Sequence, residues 1–315
     1  MLKKIFFKLP RSIMKLFLPI IFKILIKLKL NRRVINFLQE KSYFSNHSHN
    51  FHKEIKSLLK NGKIIALDVG AQGGFNSDNF FPSKYNNFFE FILVEPIQSE
   101  AEKMKNNKYT INKALWSSKM KKQIYLLDNR LGSSSMYEPD EKKFDLHDIK
   151  KKELKNFKVT RTVEVECDTL ENSLKELNIK NLDYLKIDTQ GAELEILKGI
   201  GDYRPVLIKI EAHIFSMYKD TPEWYQLLNR LYELNYLIID WKGIGKHRTR
   251  IAAEMDLLFI PNFNNKEGEK KIVDNLDKFI SLLLIFGQLN ILKTILKRLK
   301  IEIINIDKYE DLYFN

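Results

Sequence analysis

Cysteine is nearly missing from this chain. Cys167 is the single one in 315 residues. One thiol excludes an intramolecular disulfide framework and a cysteine-based zinc site, and a reducing compartment is the simpler reading. Long apolar runs are missing from the N-terminal region. Within the first 38 residues the longest cation-free run, Leu16 to Phe22, has seven residues, against roughly 20 needed to span a bilayer. Lysines break that region and no small-residue cleavage site follows it, which excludes a good secretory signal. Acidic residues are scarce at the same end: residues 1–60 hold 14 Lys and Arg but 2 Asp and Glu. The remainder holds 39 basic and 38 acidic groups, so +12 of the net charge of +13 belongs to an arm and linker made of the N-terminal 60 residues. A nearly neutral body argues against a nucleic-acid partner.

What is present fits a folded enzyme-sized body. Hydrophobic residues make up 44% and aromatics 12%, enough for a core and too much for disorder. The length suits one large α/β domain with appendages, or two small domains. In the arm, Lys4, Lys8, Arg11 and Lys15 share one helical face, with Leu2, Ile5, Phe6, Leu9, Ile13 and Leu16 opposite. Residues 1–38 therefore read either as an interfacial helix on an anionic cytoplasmic leaflet or as a helix packed on the body. His47, His49 and His52 lie close in sequence but without carboxylates nearby, so this stretch reads as a solvated linker rather than a metal site. The chain divides into an arm and linker (1–60), a catalytic domain (61–262) with an insertion at 117–170, and a helical extension (263–315).

The organising stretch is Ile64 to Phe75, an apolar run, then Asp68, then Gly70, Gly73 and Gly74. It predicts a buried parallel strand ending in a loop whose backbone approaches a ligand. The alternative is a tight strand-to-helix turn with no ligand. Phe89 to Pro96 predicts a second strand, and Glu95 at its end suits ribose hydroxyls. Residues 77–85 and 100–105 predict helices, and Thr110 to Trp116 a third strand edge. Trp116 either stacks on an adenine or fills the core. In the insertion, Gln123–Leu127 and Thr162–Cys167 are strand-like and 140–158 looks helical. It is a lid over the ligand edge or a long loop. Asp183 to Gly191 repeats the opening logic, with a helix following from Ala192 to Lys198. Pro205 to Ala212 predicts a strand ending in Glu211 and His213. Thr221 and Pro222 open a helix reaching Asn235, and 236–241 and 255–261 are the last strands. The final helices read as a packing appendage, an oligomer contact or a second membrane-touching element.

Taken in order, Asp68-Val-Gly-Ala-x-x-Gly73, Val94-Glu95-Pro96, Gly132-Ser-Ser, Leu185-Lys-Ile-Asp188-Thr-Gln-Gly191-Ala-Glu193 and Ile210-Glu211-x-His213 resemble the FkbM family of methyltransferases. The resemblance covers about 62–262, and the Lys-Ile-Asp-x-x-Gly-x-Glu element is its specific part. It implies a class I methyltransferase fold, Rossmann-like, with a seven-stranded mostly parallel sheet and helices on both faces. It also implies S-adenosylmethionine as cofactor and O-methyl transfer to a saccharide or glycoconjugate acceptor, as in glycan biosynthesis. Two positions depart from the family: Gln72 stands where Asn is usual, and Gln190 where Glu is usual. The second removes a carboxylate.

In such a fold ligands bind beyond the carboxyl ends of the strands, which gathers Asp68, Glu95, Asp188 and Glu211 on one edge. The cofactor reading places its amino-acid moiety against Gly70, Ala71 and Gly73, its ammonium near Asp68, its ribose on Glu95 and its adenine by Trp116. Asp188 and His213 are the candidate bases for a sugar hydroxyl, with Glu193 and Glu211 orienting the acceptor. Asp188, Glu211 and His213 also form a lesser candidate for a divalent metal. Competing readings are a nicotinamide-dependent oxidoreductase, whose Gly-x-Gly-x-x-Gly fingerprint fits poorly, and a non-catalytic membrane-associated scaffold. The placement expected is cytoplasmic, with the arm on the inner face of the cytoplasmic membrane as its peripheral variant.

Overall fold

The computed structural model describes residues 51–74, 83–147, 149, 151–242 and 253–303. The arm at 1–38, the linker histidines 47 and 49, most of the helix expected at 77–85, and the last twelve residues lie outside them. Seven strands form the main sheet: β1 (Ile64–Val69), β2 (Phe89–Val94), β3 (Tyr109–Ile111), β7 (Tyr184–Ile187), β8 (Leu207–His213), β9 (Tyr236–Lys242) and β10 (Glu254–Pro261). Their order is β3-β2-β1-β7-β8-β10-β9. All neighbours pair parallel except β10, which runs antiparallel to both β8 and β9. The central strands β1, β2 and β7 read as near-continuous apolar runs because both sheet faces are covered.

One face is covered by α3 (Leu170–Glu176), α4 (Glu193–Lys198) and α5 (Trp224–Glu233), which share a core with Leu67, Ile92, Leu185 and Ile208. The other is covered by α1 (His52–Leu59), α6 (Lys266–Asp274), α7 (Leu276–Ile285) and α8 (Leu289–Leu299), around Ile64, Ala66, Tyr184 and Leu207. In helix α7 every side chain from Phe279 to Ile285 is buried, as expected of a helix sandwiched between layers. Each such aliphatic or aromatic side chain contributes about 1.5–3 kcal/mol by leaving water. The helices from 266 onward thus form one compact unit with the sheet. A domain boundary at 262 would cut through this core.

Local differences from the expected elements have local causes. The strand expected at 110–116 splits: β3 ends at Ile111, and β4 (Ala114–Leu115) joins a second sheet with β5 (Met120–Leu126) and β6 (Arg161–Asp168), in the order β4-β6-β5. The expected helix at 140–158 is two 3-10 segments, Glu141–His147 and Lys151–Phe157. Helix α3 was not anticipated; its cap is Thr169, whose side chain accepts the Asn172 N–H. Helix α5 starts at Trp224 rather than at Pro222, because Glu223 and Gln226 form a reciprocal capping box. The short α2 (Gln98–Ala101) follows β2.

Two buried lysines look out of place in this sheet until the register is read. Asp68 pairs with Lys186, and Lys186 with Lys209, across β1, β7 and β8. Lys186 Nζ sits 2.9 Å from Asp68 Oδ1 and 3.8 Å from Asp188 Oδ2, and Lys209 Nζ lies 3.6 Å from Asp256 Oδ1. A charged row therefore crosses the middle of the sheet just below its carboxyl edge.

Candidate active site

A cavity of about 410 Å³ opens at that edge, beyond the ends of β1, β2 and β7. Its polar wall is Glu95, Gln72, Lys186, Asp188 and Gln190, and its apolar wall includes Ile97, Leu115, Leu131, Met136 and Ile196. The insertion contributes Leu131, Gly132, Ser134, Ser135 and Met136 to the wall. It is anchored by a bridge between Pro139 and Tyr218 and by a small core of Leu127, Phe144, Phe157, Met217 and Tyr218. The loop reading of 117–170 thus gives way to a folded cover on the ligand edge.

Gly70 is needed for a reason the sequence did not show. Its φ is +87°, and a Cβ there would lie 1.9 Å from the Asp188 carbonyl oxygen. The glycine lets the turns after β1 and β7 touch, while still lining the cavity. Ala71 is buried and its N–H donates to the Val94 carbonyl at 3.1 Å, and Gly73 is exposed with φ +76°. Neither lines the cavity.

Glu95 lines the cavity at the end of β2. It is 4% exposed and one carboxylate oxygen accepts the Ile97 N–H at 2.9 Å. Burial pushes its pKa up to about 7; the Ile97 bond opposes this, and repulsion from Glu100 and Asp68 adds to it. Asp68 is placed differently from the expectation. It is 1% exposed, is bound to Lys186 and does not line the cavity. The carboxylate that faces the cavity from this charged row is Asp188. Trp116 also stands outside the wall: its ring packs near Tyr137 and under the Lys122 ammonium at 4.0 Å, a core placement.

Asp188, Gln190 and Glu211 come together. Gln190 Nε2 donates to Glu211 Oε2 at 2.7 Å and to Asp188 Oδ1 at 3.2 Å. Burial works against the charge on Asp188, but Lys186, a hydrogen bond with Glu211, Lys209 and Gln190 together hold its pKa below the usual carboxylate range. Burial pushes Glu211 well above that range, and the charges of Asp188, Glu254 and Asp256 push the same way. Glu193 does not face an acceptor: its Oε1 takes the Thr189 N–H and hydroxyl at 3.0 Å and the Gly191 N–H at 3.1 Å, bracing the turn. His213 lies outside the wall, its ring edge-on to Tyr218 with centroids 6.2 Å apart, and its two ring nitrogens are buried without a hydrogen-bond partner among the described residues. Its Nε2 is 3.8 Å from Glu211 Oε2. Among the described residues no group of three or more His, Cys, Asp or Glu side chains is arranged to hold a metal.

Lys186 and Gln190 are the site residues that sequence reasoning missed. A lysine inside a four-residue apolar strand directly before Asp188 was the available signal, since a buried lysine needs a partner. The strand order, the single reversed strand, the glycine turn after β1 and the acidic end of β2 define a Rossmann-like methyltransferase fold. Residues 68–238 match the family model described as the methyltransferase FkbM domain, and the chain belongs to that family. Among solved structures the chain is similar to a methyltransferase FkbM from Methylobacillus flagellatus KT, at 13% identity and a TM-score of 0.38. That similarity covers 62% of this chain and 43% of the other, so this chain spans less than half of that protein. No curated protein matches.

Proposed function

We propose that the chain is an S-adenosylmethionine-dependent O-methyltransferase acting on a sugar hydroxyl of a glycan or glycoconjugate. The observation that carries this reading is the cavity itself, where Glu95 and Asp188 stand on one wall and apolar side chains on the other. The residues fit the cofactor. Glu95, raised to about 7 by burial, gains from hydroxyl donors that would stabilise its charge, as a ribose diol does. Ile97, Leu115 and Met136 would cover a flat heterocycle, and Asp188 supplies negative charge near a cationic group. When bound, the cofactor supplies an electrophilic methyl group on a sulfonium centre.

The chain's own work is then positional. Asp188, ionised and hydrogen-bonded from behind, accepts the proton of an acceptor hydroxyl entering the cavity. Gly132, Ser134 and Ser135 line the cavity on the side of the insertion. Cellular mass spectrometry tests the reading: changing Asp188 to Asn should remove one O-methylated sugar from the glycan pool, and an unaltered pool contradicts it. A cytoplasmic placement with residues 1–38 on an anionic membrane belongs to the same proposal. No helix among the described residues is long and apolar enough to cross a membrane.

A further inference from the structure

We propose that Arg130 is a specificity residue: its guanidinium binds an anionic group, a carboxylate or a phosphate, on the sugar acceptor. The inference rests on the methyl-transfer reading for what the anion belongs to. The anion site itself is a property of the chain and is tested apart from that reading.

The insertion holds Arg130 in one pose. Its backbone N–H donates to the Leu127 carbonyl at 2.7 Å, and its own carbonyl accepts the Ser133 N–H at 2.8 Å. Its Nε donates to the Ser133 hydroxyl at 2.8 Å, and the guanidinium carbon lies 4.7 Å from the centre of the Phe157 ring. Phe157 is itself buried in the small core with Leu127, Phe144, Met217 and Tyr218. Arg130 is nonetheless exposed. One donor and one face of the guanidinium are engaged, which leaves both terminal nitrogens. That end-on pair is the arrangement that takes a carboxylate or a phosphate through two parallel bonds.

The other arginines among the described residues are committed to the chain. Arg161, Arg204, Arg230 and Arg298 each place a terminal nitrogen on a chain oxygen, at 3.2, 2.7, 3.2 and 2.6 Å. Among the described residues the terminal nitrogens of Arg130 have no such acceptor. The acids nearest it in sequence are taken: Asp128 by Arg161 at 3.2 Å, Glu138 by Lys219 at 2.7 Å and Asp140 by Lys143 at 3.8 Å. The place is also right, since the next two residues, Leu131 and Gly132, line the cavity. A run of contacts leads from Arg130 to Asp188. The Ser133 hydroxyl takes the Arg130 Nε, and the Ser133 carbonyl accepts the Tyr218 hydroxyl at 2.7 Å. That hydroxyl lies 3.0 Å from Gln190 Oε1, and Gln190 Nε2 donates to Asp188 at 3.2 Å. Arg130 therefore flanks the side of the cavity on which Asp188 stands. An anionic acceptor approaching Asp188 meets like charge, and a fixed guanidinium beside the wall offsets it.

The test is titration calorimetry of the full chain, alone and saturated with S-adenosylhomocysteine, with glucuronate, inorganic phosphate and neutral glucose as millimolar probes. The expected result is that an anion binds and glucose does not. Arg130→Gln should weaken the anion on the order of tenfold or more, and Arg130→Lys by less, because it keeps the charge and loses the fork. Tighter binding of glucuronate assigns a sugar carboxylate, and tighter binding of phosphate assigns a phosphorylated acceptor. Melting temperatures separate lost binding from lost folding, and if Arg130→Gln unfolds, Arg130→Lys must still lose affinity. Binding of neither anion to the wild type overturns the proposal, as does equal binding of glucose or anion binding that the folded variants leave unchanged. S-adenosylhomocysteine binding without anion binding strikes this inference and leaves the methyl-transfer reading standing; the converse strikes that reading and leaves the anion site.

Discussion

Replacing Lys186 with Met tests whether the charged row across the sheet is a dry, paired structure. Lys186 and Asp68 keep only 8% and 2% of their side-chain surface, and their charged atoms are 2.9 Å apart. Methionine matches the lysine stem in volume, so the change removes the charge and little packing. It leaves Asp68, 1% exposed, without the Lys186 ammonium. Breaking a buried pair from one side costs about 3–5 kcal/mol, because the remaining charge is uncompensated. At roughly 2–4 °C per kcal/mol for a chain of this size, the melting temperature should fall by about 6–20 °C. Adding Asp68→Asn should return most of that loss, since the buried carboxylate that faced Lys186 is then neutral. The assay is urea and thermal denaturation of wild type, both single variants and the double variant. A Lys186→Met loss below about 1 kcal/mol, the range of an exposed ion pair, would refute the reasoning, because it would mean that water reaches Asp68.

Other outcomes follow from the same site. Glu95 has a folded pKa of about 7 against an ordinary 4.5, so its contribution to stability is present below about 4.5 and lost as pH rises through 7. The gap corresponds to about 3 kcal/mol, so Glu95→Gln should stabilise the ligand-free chain above pH 7 and weaken ligand binding; urea midpoints across pH for both proteins check the first half. Gly70→Ala forces a Cβ to within 1.9 Å of the Asp188 carbonyl at φ +87°, and should cost at least about 1–2 kcal/mol, read as a lower melting temperature. Deleting residues 1–38 should abolish flotation with anionic liposomes while leaving S-adenosylhomocysteine affinity unchanged; equal flotation of both forms would remove the membrane role.

The fold was legible where burial on both faces leaves an unmistakable apolar run, as in Ile64–Val69 and Phe89–Val94, and where an acid or glycine marks the strand end. It was less legible where tertiary pairing decides. Nothing local shows that Ala114 and Leu115 pair with β6, or that Glu223 outcompetes Thr221 as a cap. At the site, sequence order gathered Asp68, Glu95, Asp188 and Glu211 on one edge, but it could not assign their states. Asp68 is paired with a neighbouring strand's lysine, Glu193 braces its own turn, and His213 lies outside the cavity wall. These roles depend on register and on the side chain next door, and neither is written in the segment that carries the residue. Gln190 illustrates the point: read alone it is one polar side chain in a turn, and read in place its amide donates to both Asp188 and Glu211.

Calorimetric titration of the full chain with S-adenosylhomocysteine tests the central claim most directly. The account predicts saturable binding at one site, weakened on the order of tenfold or more by Glu95→Gln, the loss of a charge-assisted hydrogen bond. Absence of binding to the folded wild-type chain, or binding indifferent to Glu95, would contradict it.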